Sequence, residues 1–226
     1  MVQPIAGIKA AVFDAYGTLF DVMAPTTQAA ARIGDKADAL GRVWRDKQLQ
    51  YTWLRSLQGA YIPFRQVTED ALDFALEALA IDDPALKADL LDLYVALDAY
   101  PDAHPCLEGL RAKSVATAIL SNGSQDMLQA ATRSSALAAL LDHVLSVEEV
   151  GINKPDARVY QLACDRLECR PDEILFVSGN GWDGKAGAHF GYRSVWINRA
   201  GLPPERLPGN YVAEITSLEE IPGLVV

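Results

Sequence analysis

Five short runs constrain the fold of this chain more than any other feature: IKAAVF (8–13), VATAILS (115–121), HVLSV (143–147), EILFVS (173–178) and RSVWIN (193–198). A strand with one wet face alternates apolar and polar residues. Runs that are apolar almost throughout belong to strands covered on both faces. Helix-like segments separate the later runs, over 104–113, 124–140, 155–168 and 183–190. Pro155 and Pro171 stand where helices begin, a position at which the missing N–H of proline costs nothing. Strands alternating with helices predict right-handed βαβ units and a parallel sheet. The expected fold is therefore α/β, a Rossmann-like parallel sheet with helices on both faces.

Residues 21–100 interrupt that rhythm. No strong strand pattern occurs there, and three stretches have helical periodicity: ADALGRVWRDKQLQYTWLRSLQ (37–58), TEDALDFALEALA (68–80) and DPALKADLLDLYVALDAY (83–100). Thr68 reads as the N-cap of the second, with acidic residues in its first turn. The expected organisation is a core made of residues 1–20 and 101–226, with a helical cap of residues 21–100 inserted after the first strand. YPDAHP (100–105) marks the return to the core.

Of the 226 residues, 50% are hydrophobic, enough to form a real core, and the formal net charge is −10. An acidic surface repels nucleic acid and anionic membranes, so neither is expected as a partner. Cys106, Cys164 and Cys169 are odd in number and form no C-x-x-C, so free thiols in a reducing compartment are expected. The start, MVQPIAGIKAAVF, lacks the pattern of a signal peptide, and no window approaches the roughly 20 apolar residues of a membrane span. The expectation is a soluble, cytoplasmic protein.

Ligands of open α/β sheets bind beyond the C-terminal ends of the strands. The first run ends in Asp14, with Gly17 and Thr18 following; the second in Ser121, Asn122 and Gly123. Lys154 follows the third in GINKPD, and the fourth runs into SGNGWD, with Ser178, Asn180 and Asp183. Taken singly, each is ordinary: strand-end Asp residues cap helices, and Ser-Asn pairs make turns. A carboxylate, a hydroxyl with an amide, an amine, and a hydroxyl–amide–acid group delivered in order to one sheet edge are not ordinary. His104, His143 and His189 show no metal-ligand spacing.

In these motifs the chain resembles the haloacid dehalogenase superfamily. FDAYGTLFD is its first motif, ILSNGS its second, and NKPD with FVSGNGWD its third and fourth. LGRVWRDKQLQYTWLRSL and SGNGWD narrow the resemblance to the L-2-haloacid dehalogenases, over nearly the whole chain. It implies conversion of short 2-haloacids to 2-hydroxyacids through a covalent ester on Asp14. The runner-up is a Mg²⁺-dependent phosphatase of the same superfamily. Such phosphatases carry a second Asp two residues after the nucleophile, to protonate a poor alkoxide leaving group. This chain has Tyr16 there, a poor acid with an ordinary pKa near 10. A halide leaves as a stable anion and needs hydrogen-bond donors rather than a proton.

By this resemblance Arg45 and Asn122 bind the departing halide, and Ser121 with nearby backbone amides binds the substrate carboxylate. Thr18 orients Asp14, while Lys154 keeps the carboxylates ionised, with Tyr160 in the same network. Ser178, Asn180 and Asp183 hold Lys154 and the hydrolytic water. Tyr16, Leu49, Phe64 and Trp182 line the apolar pocket. No metal and no cofactor are implied, and a homodimer is. Three positions depart from the pattern: Asp46 where Gln is frequent, Gly179 where a second Ser is, and Gly181 where Ala is. An acid at Asp46 facing the pocket would repel the substrate.

Overall fold

The computed structural model describes residues 4–226, so residues 1–3 of the expected core segment lie outside the described residues. Six strands form one parallel sheet: β1 (Ala10–Phe13), β2 (Ala116–Ser121), β3 (His143–Ser146), β4 (Ile174–Ser178), β5 (Arg193–Ile197) and β6 (Ala213–Ile215). Their spatial order is β3-β2-β1-β4-β5-β6, so the winding reverses between β1 and β4. That switch point is where a crevice opens above the strand ends. The five expected strands are present, each within two residues of its expected limits at either end. β6 is an addition; three residues inside GNYVAEITSL are too short for a pattern to stand out.

Among the described residues, ten helices accompany the sheet. α1 (Ala24–Gln28), α2 (Ala30–Ile33), α3 (Ala37–Gln58), α4 (Phe64–Ala78) and α5 (Pro84–Val95) fall between β1 and β2, followed by α6 (Ala103–Ala112). α7 (Gln125–Ser134), α8 (Ala157–Leu167), α9 (Gly181–Phe190) and α10 (Ile221–Leu224) complete the set. α3 has the expected limits and stops at Gly59, whose φ of 65° closes the helix in the left-handed conformation. α5 starts as a capped helix should, with the Asp83 side chain accepting from Leu86 N–H and Pro84 in the first turn. α8 begins after Pro155, capped by Asp156, which accepts from Arg158 N–H.

Thr68 is not an N-cap. α4 begins four residues earlier, at Phe64 after Pro63, and Thr68 is buried inside it. The acidic residues Glu69 and Asp70 resembled a first turn, but the apolar positions Phe64, Val67, Ala71 and Leu72 carry the helix back across Thr68. The helix expected over 124–140 likewise ends at Ser134, before a separate 3₁₀ turn at Ala138–Leu140.

Successive residues of β1 face opposite sides of the sheet. Ala10 and Val12 join one apolar cluster with Val159, Phe176 and Tyr192; Ala11 and Phe13 join the other. This second cluster continues through Tyr16, Leu19 and Phe20 into Leu40, Trp44, Leu72 and Tyr94 of the inserted helices. The insertion and the sheet thus share one apolar interior. The two chain crossings between them pair with each other, through an antiparallel bridge of Phe20 and Ala99 and the bond from Tyr100 N–H to Leu19 O (2.8 Å).

Candidate active site

Asp14 is the first residue beyond β1, 6% exposed at the switch point. One of its oxygens, Oδ2, accepts from Asn180 Nδ2 (2.7 Å) and Thr18 Oγ1 (3.1 Å). The other, Oδ1, accepts from Lys154 Nζ (3.2 Å). The Thr18 hydroxyl is itself held by Gly179 N–H (2.8 Å). Gly17 turns the chain here with φ 85°. Its carbonyl lies so close to Gly179 that a Cβ there would sit 2.1 Å from the oxygen. The glycine at position 179 is therefore what lets the β1 and β4 loops meet, with its N–H reaching the Thr18 hydroxyl.

Lys154 is 1% exposed and bridges two acids, with Nζ 2.7 Å from Asp183 Oδ2 as well as 3.2 Å from Asp14. Burial disfavours its ammonium, but the charges of Asp14 and Asp183 outweigh that and hold its pKa above the ordinary lysine value. Asp183 is fully buried in the first turn of α9 and accepts from Tyr160 OH (2.7 Å) and Ser178 Oγ (3.2 Å) in addition to Lys154. Burial, with Asp14 adding to it, raises the Asp183 carboxyl above the ordinary aspartate range, although Lys154 and Tyr160 pull it down. Burial also raises the Tyr160 phenol far above its usual value, which keeps it a hydrogen-bond donor.

Arg45 arrives from α3. Its Nη2 donates to Asn180 Oδ1 (3.1 Å) and Tyr16 O (3.3 Å), so the insertion touches the amide that holds Asp14. Asn122 Oδ1 accepts from Lys154 N–H (2.9 Å), which commits that end of the amide to the backbone and leaves Nδ2 as its donor end. Ser121 is buried, and its hydroxyl accepts from Gly123 N–H (3.1 Å). Tyr16 is buried against Phe64 (5.3 Å between ring centroids) and Tyr94 (5.6 Å), with its hydroxyl unpartnered. Burial raises its phenol far above the usual value.

Eight of the nine expected catalytic side chains are thus joined by hydrogen bonds around Asp14 and Asp183, and Ser121 stands at the neighbouring strand end. Two expected pocket residues lie farther out. Leu49 is half-buried on α3, one turn beyond Arg45. Trp182 packs edge-on against Trp53 (5.2 Å), and both line an apolar cavity of about 640 Å³ in which Asp14 has no part. Asp46 is exposed, so its charge faces solvent rather than the pocket.

Sequence reasoning missed the residues that tie the insertion to the sheet. Asn153 N–H and Nδ2 both donate to Ser56 Oγ (3.2 Å each), and Arg65 pairs with Asp126 (2.8 Å). Gln48, 1% exposed, bonds Thr68 and Tyr94 inside the helical bundle. A polar residue three positions after Arg45, within the apolar stripe of α3, was the available signal for Gln48.

Comparison with known proteins decides the family. Residues 8–191 match the haloacid dehalogenase-like hydrolase family. The chain is 49% identical over 221 residues to (S)-2-haloacid dehalogenase 1 of Pseudomonas sp. (strain CBS-3), covering 97% of each. The chain belongs to the L-2-haloacid dehalogenases of the haloacid dehalogenase superfamily. A solved dehalogenase with an intermediate complex is similar to it in fold, with TM-score 0.96, 44% identity and 98% of each chain covered. A further dehalogenase is the L-2-haloacid dehalogenase of Xanthobacter autotrophicus with chloropropionic acid covalently bound (TM-score 0.88, 34% identity, 96% of this chain and 98% of that one). The α/β fold with its helical insertion is therefore the dehalogenase fold. Among the described residues, no helix is long and apolar enough to cross a membrane.

Proposed function

We propose that this enzyme hydrolyses short-chain (S)-2-haloacids to (R)-2-hydroxyacids and halide, through an ester on Asp14 and with inversion at C2. The observation that carries the reading is Tyr16. It occupies the position where a phosphatase of the superfamily needs an acid, and burial makes its phenol a still weaker one. A site without that proton donor suits a leaving group that departs as a stable anion. The donor set beside Asp14 suits a carboxylate nucleophile: its Oδ1 and Asp183 Oδ2 converge on the Lys154 ammonium, which holds both carboxylates with positive charge.

In the first step Asp14 attacks C2 opposite the halogen. Oδ1 accepts one donor and Oδ2 two, so Oδ1 has the freer lone pairs for the new C–O bond. The halide leaves with the C–X electron pair toward the Arg45 guanidinium and Asn122 Nδ2, both suited to an anion. Ser121 and neighbouring backbone N–H groups hold the substrate carboxylate, while Tyr16 and Phe64, packed on each other, bound its alkyl part. In the second step water adds to the Asp14 carbonyl carbon. Its proton passes to Asp183, which Ser178, Tyr160 and Lys154 orient, and returns to the departing alkoxide oxygen as the ester C–O bond at that carbon breaks, releasing the hydroxyacid and restoring both carboxyl groups. The configuration set in the first step is untouched, and no metal or other cofactor is required.

The same reading takes residues 21–100 as a cap over a core of 1–20 and 101–226, and the protein as a cytoplasmic homodimer that binds neither nucleic acid nor membrane. Leu54, Leu57 and Leu207, which are 51%, 85% and 48% exposed, are apolar surface of the kind a second copy covers. Light scattering after gel filtration distinguishes dimer from monomer.

The deciding assay is ion-chromatographic halide release from each enantiomer of 2-chloropropionate, with and without EDTA, together with the chirality of the product. Release from the S enantiomer alone, indifferent to EDTA and giving R-lactate, is expected. Turnover of phosphate esters with Mg²⁺ in the absence of halide release would overturn the reading.

A further inference from the structure

Inside the inserted helices runs a chain of polar groups that the reaction above does not use. Gln48, Thr68 and Tyr94 are 1%, 2% and 1% exposed, deep among Leu40, Trp44 and Leu72. Gln48 Nε2 donates to Thr68 Oγ1 (3.1 Å), and Thr68 O accepts from Trp44 Nε1 (2.9 Å). That fixes the amide with Oε1 toward Tyr94, whose hydroxyl donates to it (3.3 Å). An apolar trio of the same shape would hold the bundle at least as well, because buried polar chains seldom add net stability. What the chain does provide is one oriented oxygen.

A phenol has a single proton. With that proton committed to Gln48, the Tyr94 oxygen can only accept. Arg45 stands three residues before Gln48, the partner of that hydroxyl, on α3, hence on the same helix face. The Tyr94 ring also stacks on Tyr16 (5.6 Å, 22° between planes), and the Tyr16 carbonyl accepts from Arg45 Nη2 (3.3 Å). Burial raises the Tyr94 phenol above its ordinary value, while the Arg45 charge acts against that shift, as a guanidinium beside the oxygen must.

We infer that Tyr94, set by Gln48 and Thr68, is a positioning residue that holds the Arg45 guanidinium in the pose from which it receives the departing halide. The inference rests on the proposed role of Arg45. A guanidinium binds through a rigid, planar fork of N–H groups, so a rotation of the plane that leaves its charge in place still misdirects the donors. Chloride is a poorer leaving group than bromide and depends more on those donors. The contribution of Tyr94 should therefore be larger for chloro than for bromo substrates.

The test compares Tyr94→Phe, the double variant Tyr94→Phe/Gln48→Met and Arg45→Lys in the full-length enzyme. The double variant removes both partners of the bond, so no buried amide oxygen is left unsatisfied if the single variant folds poorly. Two quantities are read: the inhibition constant for added chloride, and the ratio of kcat/KM for 2-bromopropionate to that for 2-chloropropionate. Loss of the Tyr94 oxygen beside the guanidinium, an effect of the size of one charge-assisted interaction, predicts that both Tyr94 variants weaken chloride inhibition about 5–10-fold and raise the bromo-to-chloro ratio. A packing role alone would change stability and leave the ratio alone. A response to Arg45→Lys with none in either Tyr94 variant overturns this inference by itself. Unchanged inhibition and ratio in Arg45→Lys overturn the proposed role of Arg45, and this inference with it.

Discussion

Two buried carboxylate–cation clusters lie beyond the C-terminal ends of the same sheet and are built in opposite ways. At the ends of β1 and β4, one ammonium, Lys154, is shared by Asp14 and Asp183. Beyond β5, one carboxylate, Asp102, has the whole fork of Arg199, at 2.7 and 2.8 Å, and also accepts from Leu218 N–H and Ser217 Oγ. Burial outweighs the partners of Asp183 and its pKa rises. Burial acts on Asp102 too, yet Arg199 and Leu218 N–H overcome it, and that pKa falls. An excess of acid over cation keeps a carboxylate reactive, whereas an excess of donors makes it a fastener. What Asp102 fastens is the crossing between insertion and sheet. Arg199 also donates to Thr18 O (3.3 Å) and lies 4.0 Å from the centroid of Tyr100, so it grips both chain passages.

The largest test of this contrast exchanges each acid for its amide. Asp14→Asn should reduce halide release by about 10⁴-fold or more, as loss of a catalytic nucleophile does, with little change in melting temperature. Asp102→Asn should do the reverse. It strands Arg199, which is only 25% exposed, and should cost about 3 kcal/mol of stability, the lower end for a broken buried pair, while kcat falls far less. Activity and thermal unfolding of the two variants, measured side by side, break the comparison if both lose the same property.

The pH dependence separates the clusters by sign. The Asp102 pKa is lower in the folded state, so its stabilisation is present above the unfolded pKa, near 3.9, and fades as pH falls through the folded value. The gap between wild type and Asp102→Asn should therefore close in acid. The Asp183 pKa is higher in the folded state, so its contribution is greatest in acid and declines as pH rises through the folded value. Asp183→Asn should lose little stability near neutrality, while ester hydrolysis stops. Lys154→Met removes the cation that restrains Asp183. Its acid limb of turnover should then move to higher pH than in wild type, by an amount that pH–rate profiles measure directly.

The same contrast explains what could be read from sequence. The cluster proposed as reactive was legible because Asp14, Lys154 and Asp183 each follow an apolar run, and ligands gather at strand ends. The fastener obeys the same rule, since Arg199 follows β5, but its partner Asp102 lies 97 residues earlier in a turn with no apolar signature. Pairing at that distance is a property of the folded topology. Tyr94 was illegible for a related reason, since within a helical pattern an aromatic reads as core filler, and Gln48 left only the faint signal of a polar residue in an apolar stripe. Gly179 looked like a lost hydroxyl until the approach of the Gly17 carbonyl showed why nothing larger fits.

A third carboxylate–cation pair calibrates the other two. Arg65 and Asp126 join α4 of the insertion to α7 of the core at 2.8 Å, with side chains 54% and 60% exposed. Exposed pairs of this kind contribute about 0.2–1 kcal/mol, because solvent screens the charges and two flexible side chains must be held still. Asp126→Asn should therefore shift the unfolding midpoint only slightly, and the shift should vanish in about 0.5 M salt, where the screening length is a few ångströms. The backbone bond from Arg65 N–H to Ser124 Oγ (3.0 Å) remains in the variant and keeps the two helices in register, so KM for the haloacid should stay within about twofold of wild type. A larger, salt-insensitive loss would mean that burial is not what separates a fastener from a surface contact in this molecule, and that the difference between Asp102 and Asp126 lies in the bidentate geometry of Arg199 instead.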